Sequence, residues 1–417
     1  MMNTVVAFGI ILVFITICAF RVKLPPFLTL VTASLLYGLL TGMGEEVVVH
    51  LTRGAGNIFA LLGIPIFCGA IIAQIMRKGH FIPRVVRDLQ KVSKWPAFSS
   101  SVSGYVLSVP FMCCITSFVV LSPVVEHLHQ DRDVVRRLFY LAAFGSIMSF
   151  VLIYPLPVMY AVMSSMDLIQ EDIVLYGGIT FLLSLILLIC GTWLMMVVGG
   201  PNMPRRVVLL EQEPQGPGAI AWVPILVPVC CILLGILVPP LGFLANINIA
   251  LLAGVAGGFL VLRDSEYSEI LSKGTKNAGI IIFDLAGAGA LGSVIAASGF
   301  AEQIYGIMQG IIPVILLPFI LAVFIQTAQG ARVVTAVVTS AIIASTALPL
   351  TYSPFALILM VAAGTLIFSY VSDPYFWLIK RATGDSLSAV LKGYTLPLAL
   401  AGCGILVCAL IVQFLFA

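Results

Sequence analysis

Nine stretches of the chain, near residues 4–21, 26–43, 58–76, 138–163, 174–198, 220–242, 246–262, 278–298 and 395–416, are apolar almost without interruption. Runs of roughly 17–25 such residues cross about 30 Å of hydrocarbon as α-helices. In lipid every backbone N–H and C=O must be satisfied internally, which leaves only helices and closed barrels. The two-residue alternation of a barrel strand is absent, so an all-α polytopic membrane protein is expected. Composition agrees: 9% of residues are charged, against about a quarter in soluble domains. The first stretch has signal-peptide length, but no basic residue precedes it and Arg21 and Lys23 follow it. It is expected to be a retained span.

The net charge of +3 gives no support for binding nucleic acid. The nine cysteines lie in or beside apolar segments and include the adjacent pairs Cys113-Cys114 and Cys230-Cys231. Sequence neighbours are poorly placed to bridge each other, so buried free thiols are expected. The four histidines, His50, His80, His127 and His129, fall in loops or at segment ends. His127 and His129 would point to different faces of a helix, so no metal site is expected. No Ser-His-Asp set or phosphate-binding loop occurs, which disfavours an enzyme. The run "GAGALG" (287–292) follows no strand, and its small residues suit close helix packing rather than a nucleotide.

The chain carries an internal duplication. Offset by 220 residues, 32–57 aligns without a gap to 252–277, matching Gly38 with Gly258, Glu46 with Glu266, Gly54 with Gly274 and Asn57 with Asn277. Further on, Gly69 matches Gly289 and Gly79 matches Gly299. Cytoplasmic loops are enriched in Lys and Arg. The 77–94 loop has six basic residues and one acidic, whereas its counterpart, 298–310, has no basic residue. The 166–172 loop is purely acidic, and its counterpart, 379–392, has three basic residues before its end is reached or at it. Each loop changes sides between copies, as in the inverted repeats of many secondary transporters. The expected division is 1–200 for the first repeat, 201–219 for a cytoplasmic linker and 220–417 for the second.

Sidedness requires an odd number of crossings between the 77–94 and 166–172 loops, yet two apolar stretches, 96–124 and 138–163, intervene. One must enter and leave on the same face. The stretch 96–124, with Pro110 at its middle, is the better candidate for a re-entrant hairpin, and 311–350 would fold similarly with "QTAQGAR" at its turn. The remaining crossings, 138–163 and 354–379, are interrupted at "IYPLP" (153–157) and "SYVSDP" (369–374), because proline removes a donor and breaks a helix. Paired interruptions at corresponding places point to a binding site near the bilayer midplane.

Arg332 stands at the second hairpin's turn. A guanidinium there offers a planar fork for a carboxylate; alternatively it pairs with a structural acid or reaches an interface. Gln326, Thr327, Gln329 and Thr335 can hydrogen-bond substrate hydroxyls or join helices to each other. Asp373, before Pro374, can take up a proton or ligate a cation, and equally suits the N-cap of the next half-helix. Asp284 lies a short way into a span, where the choice is between ion coupling and a solvated position.

Several of these segments resemble the gluconate permease family, proton-coupled carriers of sugar acids in the ion transporter superfamily. "AAGTLIFSYVSDPYFWLIK" (362–380) is similar to that family's signature, and "QGARVVTA" (329–336), "SFVVLSP" (117–123), "FVLIYPLP" (150–157) and "AASGFAEQI" (296–304) follow it in kind. The resemblance spans nearly the whole chain. It implies a scaffold and a transport portion, two re-entrant hairpins, elevator-type alternating access, a homodimer in the lipid bilayer and a multi-pass place in the bacterial inner membrane. Carried over by position, it adds Gly330, Ser117, Tyr154, Pro155, Pro157, Ser369, Tyr370 and Ser372 to the substrate site. It implies no cofactor beyond a coupling ion, H+ or Na+. The chain departs from the pattern in having Cys114 or Ile115 where the family often has a glutamate, Tyr154 and Tyr370 in place of two histidines, Arg332 in place of a small residue and Tyr375 in place of glycine. A cation-coupled symporter of a small organic anion is therefore expected, with a carboxylate other than gluconate open as substrate. An ion exchanger or an anion channel without organic substrate are the alternatives.

Overall fold

The computed structural model describes residues 3–22, 24–92, 95–126, 129, 131–166, 168–198, 218–262, 267–308, 313–370 and 373–415. In the first half the helices are α1 (Thr4–Ile17), α2 (Pro26–Thr41), α3 (Glu46–Lys78), α4 (Phe81–Val92), α5 (Pro96–Phe111), α6 (Cys114–Glu126), α7 (Arg132–Leu152), α8 (Pro157–Ser164) and α9 (Gln170–Val198). The second half has α10 (Val223–Leu237), α11 (Ile247–Val261), α12 (Tyr267–Ala297), α13 (Phe300–Met308), α14 (Leu317–Gln329), α15 (Arg332–Ala344), α16 (Leu348–Thr351), α17 (Pro354–Ile367), α18 (Pro374–Thr383), α19 (Leu387–Val390) and α20 (Leu396–Leu415). Apart from the two four-residue helices α16 and α19, the second series repeats the first in order and kind. The stretch expected as a linker falls almost wholly outside the described residues.

Proline sets many of the starts. It occupies the first helical position of α2, α5, α8, α17 and α18, where its missing N–H is one the helix could not use and its φ is already helical. The prolines expected to break two crossings thus open the half-helices α8 and α18. The hairpin arms are short: α5 and α6 have 16 and 13 residues, α14 and α15 have 13 each. At about 1.5 Å per residue none reaches across the hydrocarbon. Met112 (φ 51°) turns the first hairpin and Gly330 (φ 76°) the second, both in the left-handed region.

Six described helical stretches are long and apolar enough to cross a membrane, fewer than the nine apolar runs. The runs at 4–21, 26–43 and 246–262 form helices of 14, 16 and 15 residues, each followed by a turn or a cap. Conversely, the run at 58–76 lies inside the 33-residue α3, which begins at Glu46 and is about 50 Å long. Nothing between Glu46 and Ile58 breaks the helix, so His50, Arg53 and Asn57 continue it instead of forming a loop.

The two long helices carry the center of the fold. Gly54 of α3 sits against Gly289 of α12, and Gly274 of α12 sits against Ile71 of α3. The beginning of each meets the far part of the other, so these corresponding helices run antiparallel, as inverted copies require. A Cβ on Gly54 or Gly289 would collide with the carbonyl of the other. The first hairpin reaches the same pair: a Cβ on Gly69 would stand 2.8 Å from Met112 Cγ. Below this crossing, Lys78 pairs with Glu269 at 3.2 Å, and Asp88 of α4 accepts from Arg84 Nε and Trp222 Nε1. The basic α4 buries Phe81, Ile82, Val85 and Val86 and is held to the other half. α9, α10 and α20 present large apolar side chains outward, among them Trp193, Leu237 and Phe414. Cys190, Cys230 and Cys403 are exposed on those helices, contrary to the expectation of burial, because a lipid-facing surface accepts a thiol as readily as a core.

Candidate functional site

The second hairpin's turn is stapled from within. Gln326 Nε2 donates to the Gly330 carbonyl at 2.9 Å, and Thr335 Oγ1 donates to Gln326 Oε1 at 2.8 Å. In the first hairpin, Ser117 Oγ donates to the Gly104 carbonyl at 3.1 Å, joining α6 to α5. Ser117 and Thr335 are each the fourth residue of the second arm. The stapling leaves Arg332 as the first residue of α15, 5% exposed, beside the interruption between α17 and α18.

There Arg332 Nη2 lies 2.5 Å from Ser369 Oγ, 3.0 Å from Asp373 Oδ2 and 3.1 Å from the Tyr394 hydroxyl. The Tyr394 hydroxyl donates to the same Asp373 oxygen at 2.7 Å. Asp373 Oδ1 accepts from the Tyr375 backbone N–H at 2.9 Å and caps α18. Asp373 is 1% exposed. The attraction in a buried ion pair offsets its desolvation fully only if each partner's remaining lone pairs and protons are also met. The carboxylate satisfies that condition. The guanidinium does not: Arg332 Nε is buried and donates to no partner among the described residues. The Tyr375 ring stands edge-on to Tyr394 and to Phe118 of α6, and its hydroxyl shares a 2.8 Å hydrogen bond with Ser146 of α7. Cys114, first residue of α6, is buried within electrostatic reach of both Arg332 and Asp373. Both hairpins and both interrupted helices therefore contribute to one enclosed region.

Among the expected residues, Arg332, Ser369 and Asp373 are brought into direct contact. Gln326, Thr335, Gly330 and Ser117 shape the hairpins. Thr327 is exposed and bonds back to the Val323 carbonyl, so it does not face the ion pair. Tyr154 leans on Tyr160, with ring centroids 5.7 Å apart, and lies with Pro155 in the first interruption. Tyr370 packs edge-on against Phe376. Asp284 is elsewhere: its carboxylate accepts from the Phe27 N–H at 3.1 Å and caps the start of α2. Ser372 and His127 lie outside the described residues, as does the side chain of Gln329. Tyr394 is the residue sequence reasoning missed. A tyrosine just ahead of an apolar run is indistinguishable from an interfacial anchor, and only the fold carries it to Asp373.

Helices with two re-entrant hairpins and two interrupted crossings, gathered on a buried ion pair, define a polytopic membrane permease. The chain belongs to the GntP permease family: the model of the GntP family permeases matches residues 1–415. It is 23% identical to the high-affinity gluconate transporter of Escherichia coli (strain K12), with 98% of each chain covered. It is 24% identical to the D-serine transporter DsdX of the same strain, with 93% of this chain and 92% of the other covered. The fold is similar to that in the crystal structure of the Alcanivorax borkumensis YdaH transporter, with a TM-score of 0.52 at 16% identity over 89% of this chain and 88% of that one.

Proposed function

We propose that the chain is a secondary transporter of a small hydroxylated organic anion in the bacterial inner membrane, coupled to protons by exchange of partners at Arg332 and Asp373. The observation that carries this is the buried pair at 3.0 Å with Arg332 Nε left unmatched among the described residues. Gluconate, named for one relative, is a carboxylate with several hydroxyl groups, and D-serine, named for another, is a zwitterion with a carboxylate, one hydroxyl and an ammonium group.

Charge accounting gives the mechanism. At rest, guanidinium and carboxylate cancel. An incoming carboxylate takes Arg332 as its partner through the free Nε–H and a neighbouring N–H, a planar geometry suited to two parallel bonds. Asp373 is then a buried charge without a cation, a state that costs several kcal/mol. Uptake of one proton on Asp373 removes the charge, with Tyr394 and Ser369 at hand as hydrogen-bond partners. The loaded site and the empty site are both neutral, whereas substrate alone or proton alone leaves net charge. Only the neutral states cross between the two sides, and that restriction is the coupling.

The test is uptake into proteoliposomes holding the purified chain, with D-gluconate and D-serine offered under an imposed pH gradient or a sodium gradient. For the monoanion D-gluconate, accumulation driven by an alkaline interior and indifferent to sodium is expected. The zwitterion D-serine, which leaves the site neutral without a proton, is expected to enter without accumulation by the pH gradient. Accumulation that follows sodium alone, or conductance without accumulation, overturns the proton-coupled reading.

A further inference from the structure

A cavity of about 510 Å³ opens beside the α3–α12 crossing, lined by His50, Arg53, Asn57, Ser164, Ser165 and Ser293 and walled on one side by Val337 and Ala341 of α15. Its size is within the range of small-molecule sites, about 300–1,000 Å³. No hydrogen bond or ion pair engages the side chains of Arg53, Asn57, Ser164 or Ser293 among the described residues. A cation and several uncommitted amide and hydroxyl groups thus surround a space a small polar anion can fill. The substrate site described above contains none of them.

Position within the membrane follows from α3. From Arg53 to Lys78 the helix is continuous and rises about 37 Å at ~1.5 Å per residue, more than the thickness of the hydrocarbon. Lys78, Arg84 and Arg87 mark the cytoplasmic end by their charge, so Arg53 is at the outer end. Ser164 and Ser165 adjoin the acidic 166–172 loop, which agrees. The inner wall leads toward the ion pair: Val337 is five residues, about 7–8 Å, along α15 from Arg332. Between Val337 and Ala341, on the same stretch of α15, Thr339 Oγ1 and Ser340 Oγ are buried without hydrogen-bond partners among the described residues.

We propose that this cavity is an outer reception site for the substrate, in which Arg53 binds the carboxylate and Asn57, Ser164 and Ser293 take its hydroxyl groups before it passes along α15 to Arg332. The inference rests on the reading of the chain as an organic-anion transporter and adds a second, outward cation to it.

Two measurements on the full-length chain test it. In intact cells, Asn57→Cys is exposed to the anionic ethylsulfonate and the cationic trimethylammonium methanethiosulfonate reagents from outside, against the background of the native thiols. Modification from outside is expected, with the anionic reagent slowed about tenfold by Arg53→Gln and the cationic one not slowed, since the charge that draws anions is gone. For whichever of D-gluconate and D-serine the wild type takes up, Arg53→Gln should raise KM about tenfold with kcat retained, as loss of one charge-assisted bond at a partly open site implies, and Arg53→Lys should restore most of the affinity. Modification of Asn57→Cys only from the cytoplasmic side, or an unchanged KM and unchanged reagent preference in Arg53→Gln, overturns the reception site while leaving the ion-pair mechanism intact. Loss of affinity in Arg53→Gln together with normal proton-coupled uptake in Arg332→Gln upholds the reception site and overturns the mechanism at the pair. Reagent protection by anionic phospholipid and not by substrate assigns the cavity to a lipid headgroup and overturns the proposal.

Discussion

Arg332 shows how far a single residue can be understood before its surroundings are known. A charge inside an apolar run is costly and therefore marks either a site or a compensated pair, and here the compensation by Asp373 was the less expected of the two. The residues were both visible in the sequence; their contact was not, because 41 positions separate them. Pairing changes what substitution should do. Arg332→Gln leaves Asp373 buried without a cation, which costs about 3–5 kcal/mol, so it should lower the thermal midpoint of the purified chain as well as stop uptake. Arg332→Gln combined with Asp373→Asn should regain most of that stability and none of the transport, which thermal unfolding and uptake measured on the same preparation will show. Tyr394→Phe removes one hydrogen bond to a charged oxygen, about 1.5–3 kcal/mol. It should keep transport while shifting its pH profile, and a profile identical to wild type would remove Tyr394 from the coupling unit.

At the level of helices, proline and glycine carried most of what could be read in advance. Pro157 and Pro374 placed the two interruptions, and parity of crossings placed the hairpins, since these depend on local chain chemistry and on charge at loops. Helix ends were less legible. Hydropathy treats His50, Arg53 and Asn57 as the edge of a loop, but intrinsic preference and the absence of a breaker keep them helical, and α3 extends past the hydrocarbon. Contacts between helices were hidden for a different reason: a glycine that permits a crossing looks like any other until its partner is known. Gly54 and Gly289 leave no room for a side chain. Gly54→Ala and Gly289→Ala should each destabilise the chain by about 1–3 kcal/mol through overpacking, seen as a lower unfolding temperature in detergent. A similar change at Gly56, where nothing lies within 4 Å, should not lower that temperature, and the higher helix propensity of alanine favours a small rise.

For the molecule as a whole, the duplication gives two antiparallel long helices, two hairpins and two interrupted helices, but the chemistry at the center is not symmetric. The position in α6 that corresponds to Arg332, first in the second hairpin arm, is Cys114, and the residue before Pro157 that corresponds to Asp373 is Leu156. One copy supplies the charges and the other encloses them. In the proposed mechanism the enclosure makes neutrality a condition for crossing, and it is there that proton coupling can be tested most directly. Purified wild-type and Asp373→Asn chains are placed in proteoliposomes containing a pH-sensitive dye, and protons entering are counted against radiolabelled substrate entering. About one proton per monoanion is expected for the wild type, and none for Asp373→Asn, which should still exchange labelled for unlabelled substrate across the membrane. Substrate accumulation without proton movement in the wild type, or an unchanged ratio in Asp373→Asn, would contradict partner exchange at the buried pair.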